Sequence, residues 1–217
     1  MVERIVNDHL PSNTYLADTA VPGEVVVVDP GLDRERIDRA IAERCVRPVA
    51  IVCTHGHFDH IGSAHELQRT YSAPLYMHRD DARIARSANF LLMACKIDRR
   101  ITIPLIDHPL DDGAEVEIAG ELLRVVHTPG HTPGSCLLEF RGTLFTGDTI
   151  YRDGVGLVDF PGEDTAQLRD SILAVWDRLD DDLWTAPGHG GCGRLGDLKA
   201  SNVALRRFLA LDHGRAA

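Results

Sequence analysis

Apolar and polar positions along the chain fall into two kinds of run. Short β-branched runs stand at Val25-Val26-Val27-Val28 and at Ala50-Ile51-Val52-Cys53. Uninterrupted apolar runs of this length predict strands covered on both faces. The first stops at Asp29-Pro30-Gly31 and the second at Thr54-His55-Gly56-His57. Longer, periodic runs follow them. In residues 33–43, Ile37, Ala40 and Ile41 recur at helical spacing, and residues 61–71 form a second helical stretch. Residues 73–77 predict a short strand, and residues 80–95 a helix broken near Ser87.

The second half changes character. Residues 114–118, 122–126, 135–140 and 143–145 alternate like antiparallel strands, with turns at Gly120 and at Arg141-Gly142. Residues 164–179 predict a helix whose buried stripe is Leu168, Ile172, Val175 and Leu179. Residues 183–186 read as a last strand and residues 196–211 as a closing helix. Hairpins without crossover helices in the middle of the chain argue against a doubly wound parallel sheet. They favour an α/β sandwich with two central sheets.

Composition adds bounds to this picture. With 217 residues, 44% of them hydrophobic and 26% charged, the chain fits a single soluble domain spanning residues 1–217. A net charge of −10 without a basic stripe argues against nucleic acid as a partner. The five cysteines, Cys45, Cys53, Cys95, Cys136 and Cys192, form no CxxC pair and read as free thiols of a reducing compartment. No run approaches the roughly 18 apolar residues that span a bilayer, and Met1-Val2-Glu3-Arg4 does not begin a signal peptide. The expectation is a cytoplasmic protein, monomeric or homodimeric, that acts on a small molecule and not on a membrane.

The candidate chemistry is concentrated after the second strand, in Thr54-His55-Gly56-His57-Phe58-Asp59-His60. A lone histidine is usually structural. Three imidazoles and a carboxylate within six residues are different, because clustering them without a cation leaves polar groups crowded and unsatisfied. Imidazole nitrogen and carboxylate oxygen suit zinc, iron, manganese and cobalt. The His55–His57 spacing lets both rings face one point, and Gly56 is expected to turn the backbone tightly. Three further donors sit singly on glycine-containing loops. They are His131 in Thr128-Pro129-Gly130-His131-Thr132-Pro133-Gly134, Asp148 in Thr146-Gly147-Asp148-Thr149, and His189 in Pro187-Gly188-His189-Gly190.

In this order, the motifs resemble the metallo-β-lactamase superfamily, and within it the glyoxalase II-like proteins, from about residue 12 to about residue 202. The resemblance implies an αββα sandwich of two mixed sheets flanked by helices, with the site at one edge of the sheets. It also implies two divalent metal ions, zinc first, with iron or manganese as alternatives. His55, His57 and His131 would hold one ion, Asp59, His60 and His189 the other, and Asp148 would bridge them. Asp59 would also orient the attacking water, and Asp29 would orient a ligand. The other histidines, His9, His65, His78, His108, His127 and His213, match no ligand position. Ser135 and Cys136 are read as packing or hydrogen-bonding residues, not nucleophiles.

The activity implied is hydrolysis, first of thioesters. The resemblance also leaves open a mononuclear iron persulfide dioxygenase and a lactone hydrolase. Two departures bear on substrate. Leu157 and Val158 stand where relatives often carry Arg and a hydroxyl residue, and the chain ends soon after Lys199, a candidate anion contact. The apolar stretch at residues 87–95 is expected to be core or to line the pocket mouth.

Overall fold

The four-valine run is buried because its strand is covered on both sides. In the computed structural model, which describes residues 1–210, Val27 packs into an outer core with Ile37, Ile51, Leu67 and Leu75. Its neighbours Val26 and Val28 pack into a second core with Tyr15, Val52, Leu138 and Phe145. Successive side chains of a strand point to opposite faces, so one run serves both cores.

That strand is β3 (Glu24–Val28) of a six-stranded sheet. Beside it lie β1 (Val2–Val6), β2 (Asn13–Asp18), β4 (Arg47–Val52), β5 (Leu75–His78) and β6 (His108–Leu110), in chain order across the sheet. The β1–β2–β3 pairs are antiparallel and the β3–β4–β5–β6 pairs parallel. The second sheet runs β7 (Glu115–Ile118), β8 (Glu121–His127), β9 (Cys136–Phe140), β10 (Thr143–Gly147), β11 (Trp184–Pro187) and β12 (Gly193–Arg194). Only its β10–β11 pair is parallel. The two sheets face each other across the core that contains Tyr15 and Phe145.

Helices close both outer faces. On the first sheet lie α1 (Arg34–Arg44), the short α2 (Phe58–Ile61), α3 (Ala64–Tyr71), α4 (Ala82–Arg86) and α5 (Ala88–Ala94). On the second lie α6 (Thr165–Trp176), α7 (Leu195–Ser201) and α8 (Val203–Phe208), where Leu168, Ile172, Leu195 and Leu205 join Leu137 and Leu144 in a third core. The expected αββα sandwich of two mixed sheets is therefore the observed architecture.

Some local expectations change. The helix expected at residues 61–71 begins earlier and is split, because Gly62 and Ser63 dock on the turn after β3. Ser63 donates through its hydroxyl to the Gly31 carbonyl (2.6 Å) and through its amide to the Pro30 carbonyl (3.0 Å). The closing helix is split at Asn202, whose side chain caps α8 by accepting from the Leu205 amide (2.9 Å) and donates to the Tyr151 and Gly154 carbonyls. The expected end of that helix near Leu211, and His213, lie outside the described residues. Strands β1, β2, β6 and β12 were not expected. In β2 the buried Asn13 and Thr14 break the apolar pattern, and β6 carries Pro109 on a sheet edge, where proline is tolerated. All five cysteines are free, as expected.

Asp164 caps α6 by accepting from the Gln167 amide (2.9 Å). Replacing Asp164 by Ala is expected to lower unfolding stability by about 1 kcal/mol, read as a lower urea midpoint with an unchanged slope.

Candidate metal centre

Every donor predicted from the sequence sits at or just beyond the end of a strand. His55, His57, Asp59 and His60 follow β4, Asp148 follows β10, His189 follows β11, and His131 lies between β8 and β9. Two sheets ending at one edge bring these loops together. His55 Nε2 and His131 Nε2 approach His57 Nδ1 at 3.2 and 3.0 Å, so three imidazole nitrogens converge. A second trio is Asp59, His60 and His189. His60 Nε2 lies 3.4 Å from His189 Nε2, and Asp59 Oδ2 lies 3.6 and 3.4 Å from those two nitrogens. Asp148 stands between the trios, with Oδ1 3.5 Å from His60 Nε2 and Oδ2 3.4 Å from both His131 Nε2 and His189 Nε2.

The outer ring nitrogens explain why the inner ones are free. His131 Nδ1 donates to the Gly156 carbonyl (2.9 Å), His60 Nδ1 to the Asp29 carboxylate (3.1 Å) and His189 Nδ1 to the Pro11 carbonyl (3.1 Å). His55 Nδ1 lies 3.1 Å from the Thr54 hydroxyl, which in turn donates to Asp29 (2.7 Å). Each partner holds the Nδ1 side of its ring and leaves Nε2 facing inward. Asp29 has the orienting role expected of it, and its other oxygen accepts from the Thr54 amide (2.7 Å).

Several features fit a cation here. Among the described residues, the only buried side-chain nitrogen or oxygen atoms without a hydrogen-bond partner are His57 Nε2 and Asp148 Oδ1, both in this cluster. Burial and the neighbouring imidazoles push the His57 pKa down to about 3 and that of His55 well below the ordinary histidine value. Burial opposes the charged form of His60 as well, but the Asp148, Asp59 and Asp29 carboxylates overcome it and raise His60 to about 9. Burial is likewise outweighed at His189, where hydrogen bonds to the Asp148 and Asp59 carboxylates raise it to about 11. The same pairings hold Asp148 well below the usual carboxylate range against its burial. Neutral rings at His55 and His57 and ionised carboxylates at Asp59 and Asp148 suit bound divalent ions.

Two glycines are required by close approach. A Cβ on Gly188 would lie 2.0 Å from Asp148 Oδ1 and 2.7 Å from His60 Cε1. Gly56 does not adopt a positive φ, so the expected tight turn is not its reason. A side chain there would instead meet the Asp81 carbonyl at 2.9 Å.

Asp81 was not anticipated from the sequence. Fully buried at the start of the α4 segment, it accepts from the Gly56 amide (2.7 Å), the Gly134 amide (2.6 Å) and the Thr132 hydroxyl (2.7 Å). It thus ties the loop of His55 and His57 to the loop of His131. Tyr151 was also missed; its ring meets His189 edge-on at 5.8 Å. Neither has a local sequence signal, since each acts across the fold. Ser135 hydrogen-bonds Thr132, and Cys136 is buried in the inter-sheet core, so both have the packing roles expected. Lys199 does not join the site. Its ammonium binds the Leu179 carbonyl (3.1 Å) and Asp181 (2.6 Å) and lies over the Trp176 ring, so it closes α7 onto the connection before β11. His78, Asp80 and His127 form a further group of ligand-type residues. The two rings stack 4.0 Å apart at 8°, so their in-plane lone pairs run side by side and do not converge.

Two facing sheets between helical layers, with His and Asp donors gathered at one edge, define a metallo-hydrolase scaffold. The family model for the metallo-beta-lactamase superfamily matches residues 7–189, and the chain belongs to that superfamily. A hydroxyacylglutathione hydrolase of Anaeromyxobacter dehalogenans is 38% identical over 94% of this chain and 68% of its own length. The crystal structure of the BLEG-1 B3 metallo-beta-lactamase superposes with a TM-score of 0.83 at 29% identity, covering 94% of this chain and 99% of that one. TTHA1623 in a di-iron-bound form gives 0.82 at 29% identity, covering 93% and 98%. Among the described residues no helix is long and apolar enough to cross a membrane.

With pKa values raised to about 9 and about 11, His60 and His189 are protonated at pH 7.5 in the metal-free protein and must lose those protons to bind an ion. Calorimetric metal titrations in buffers of different ionisation enthalpy are expected to show release of about two protons per chain, with affinity weakening as pH falls. No buffer dependence would mean that both rings are already neutral. Replacing Asp81 by Ala is expected to weaken metal binding about 10–100-fold in chelator competition, since it frees both loops.

Proposed function

We propose that this chain is a thioester hydrolase that works with two divalent ions, zinc by preference. The observation that carries the reading is Asp148, whose carboxylate reaches both donor trios, Oδ2 lying 3.4 Å from His131 Nε2 of one and from His189 Nε2 of the other. Likeness to a hydroxyacylglutathione hydrolase along nearly the whole chain supports the choice of thioesters.

Bound ions of this kind supply an activated water at neutral pH and polarise a carbonyl. His55, His57 and His131 would hold one of them, and Asp59, His60 and His189 the other. The chain's own groups do the rest. Asp59, ionised and 7% exposed at its side chain, would accept a hydrogen bond from the attacking water and orient it. His189 is the most exposed donor, at 27% of its side chain, so the substrate enters on its side. His55, His57 and His131 are shut from solvent and keep bulk water from the inner trio. No serine or cysteine nucleophile is needed. The Ser135 hydroxyl is engaged by Thr132, and burial raises the Cys136 thiol pKa.

Elemental analysis of the purified protein is expected to find about two metal ions per chain, with hydrolysis of at least one member of a thioester panel followed by thiol release. Asp148→Ala and His55→Ala are each expected to lower kcat/KM at least about a hundredfold, in line with loss of a donor. One iron per chain with oxygen consumption and no thiol release would overturn the reading.

A further inference from the structure

We propose that the rim of the metal centre and the groove beside it bind an alkyl acyl chain, so that the substrates are thioesters of apolar acids. The inference rests on the hydrolase reading above. In that reaction water adds to the thioester carbonyl and the C–S bond breaks. The acyl part leaves as a carboxylate and a proton, and the sulfur leaves as a thiol.

The first observation is the segment between β10 and α6, residues 148–164, which contains no helix or strand. Long irregular segments in a packed domain are commonly functional. This one is tied to the donors at two points. The Gly156 carbonyl accepts from His131 Nδ1, and the Phe160 ring meets His57 edge-on with centroids 5.5 Å apart. Leu157 and Val158 lie between these ties. Consecutive Cα atoms are about 3.8 Å apart, so both residues are held at the rim of the metal centre. The Glu163 carboxylate fixes the stretch by accepting from the Val158 and Asp159 amides (2.8 and 3.1 Å). Yet Leu157 and Val158 remain 40% and 42% exposed. These two large aliphatic side chains are only partly covered by the protein beside a polar centre, and an apolar part of the substrate would cover the rest.

The second observation is a groove walled by the next residues of the same segment. Pro161 and Gly162, directly after Phe160, form one wall of a cavity of about 400 Å³. Ile84, Phe90, Leu91 and Pro133 form the others, and Pro133 is two residues past His131. A volume in this range suits a small molecule, since ligand pockets run from roughly 300 to 1,000 Å³. Phe90 is 60% exposed, whereas Leu91 and Leu92 of the same helix are buried, so α5 packs one face and offers the other to the groove. Asp80 and Arg83 flank the cavity with one charge of each sign. The walls therefore select by apolar contact and not by charge. Isolated exposed apolar side chains are ordinary, but two beside a reactive centre, with the wall of an apolar groove following in the same segment, point to a ligand.

The test uses the metal-loaded protein and S-acyl thioesters of one thiol, N-acetylcysteamine, from acetyl to octanoyl. Each buried methylene contributes up to about fourfold, so kcat/KM is expected to rise at least tenfold from butanoyl to octanoyl. Leu157→Asp and Phe90→Asp change exposed positions, so folding is not at stake. Each is expected to lower the octanoyl-to-acetyl ratio of kcat/KM at least fivefold. A flat wild-type profile, or a ratio unchanged in both variants, would overturn the inference. If no thioester of the series is cleaved, the hydrolase reading fails, and calorimetric binding of the S-octyl and S-ethyl thioethers of the same thiol judges the groove alone. Tighter binding of the octyl compound, weakened by Leu157→Asp, supports the groove; equal binding of the two overturns it.

Discussion

The structure depends on holding two ionised carboxylates and five imidazoles in one buried edge of the fold. Charges taken out of water are costly unless opposite charges meet them, and imidazole nitrogens 3.0–3.4 Å apart repel unless a proton or a cation lies between them. In the second trio, raised histidine pKa values and depressed carboxylate values express that need. In the first, the same burial keeps His55 and His57 neutral and ready to donate. The orphaned His57 Nε2 and Asp148 Oδ1 lie within this region and nowhere else among the described residues.

Such a cluster is stable only if each ring is aimed, and the aiming is done by the sheet ends. Asp29 leaves β3 in a left-handed conformation and reaches both Thr54 and His60. Asp81 leaves β5 by a short 3₁₀ turn and reaches two loops from different sheets. Asn13 and Tyr15 of β2 reach the Pro187 carbonyl before His189 (2.8 and 2.6 Å). Buried polar residues that look like flaws in an apolar strand pattern are thus the struts of the site. Their cost is offset because each finds a full set of partners.

The segment after Asp148 joins a tie to the donors with an exposed apolar stretch. Gly156 must present its carbonyl to His131, and Asn202 clamps the start of the segment through Tyr151 and Gly154. Between those constraints the chain is free to vary what it shows to solvent, and here it shows Leu157 and Val158. The residues that anchor the segment and those it exposes are therefore separate along the same stretch of backbone.

Much of this was legible in the order of residues alone. The run of four valines, the hairpin spacing of residues 114–145 and the donor motifs each carry a local physical signal: period, turn chemistry or ligand type. They pointed to the sandwich of two sheets and to seven candidate donors that the fold gathers at one edge. Strands β1, β2, β6 and β12 escaped because their side chains answer to edges and to the site, and not to a uniform core. Asp81 and Tyr151 escaped, and Lys199 turned away from the site to Asp181, because the partners of each lie far along the chain. Which nitrogen of each ring faces inward, why Gly56 must lack a side chain, and where Leu157 stands relative to His131 were decided only by the tertiary structure. Those are distances between segments that only the packing of two sheets brings together.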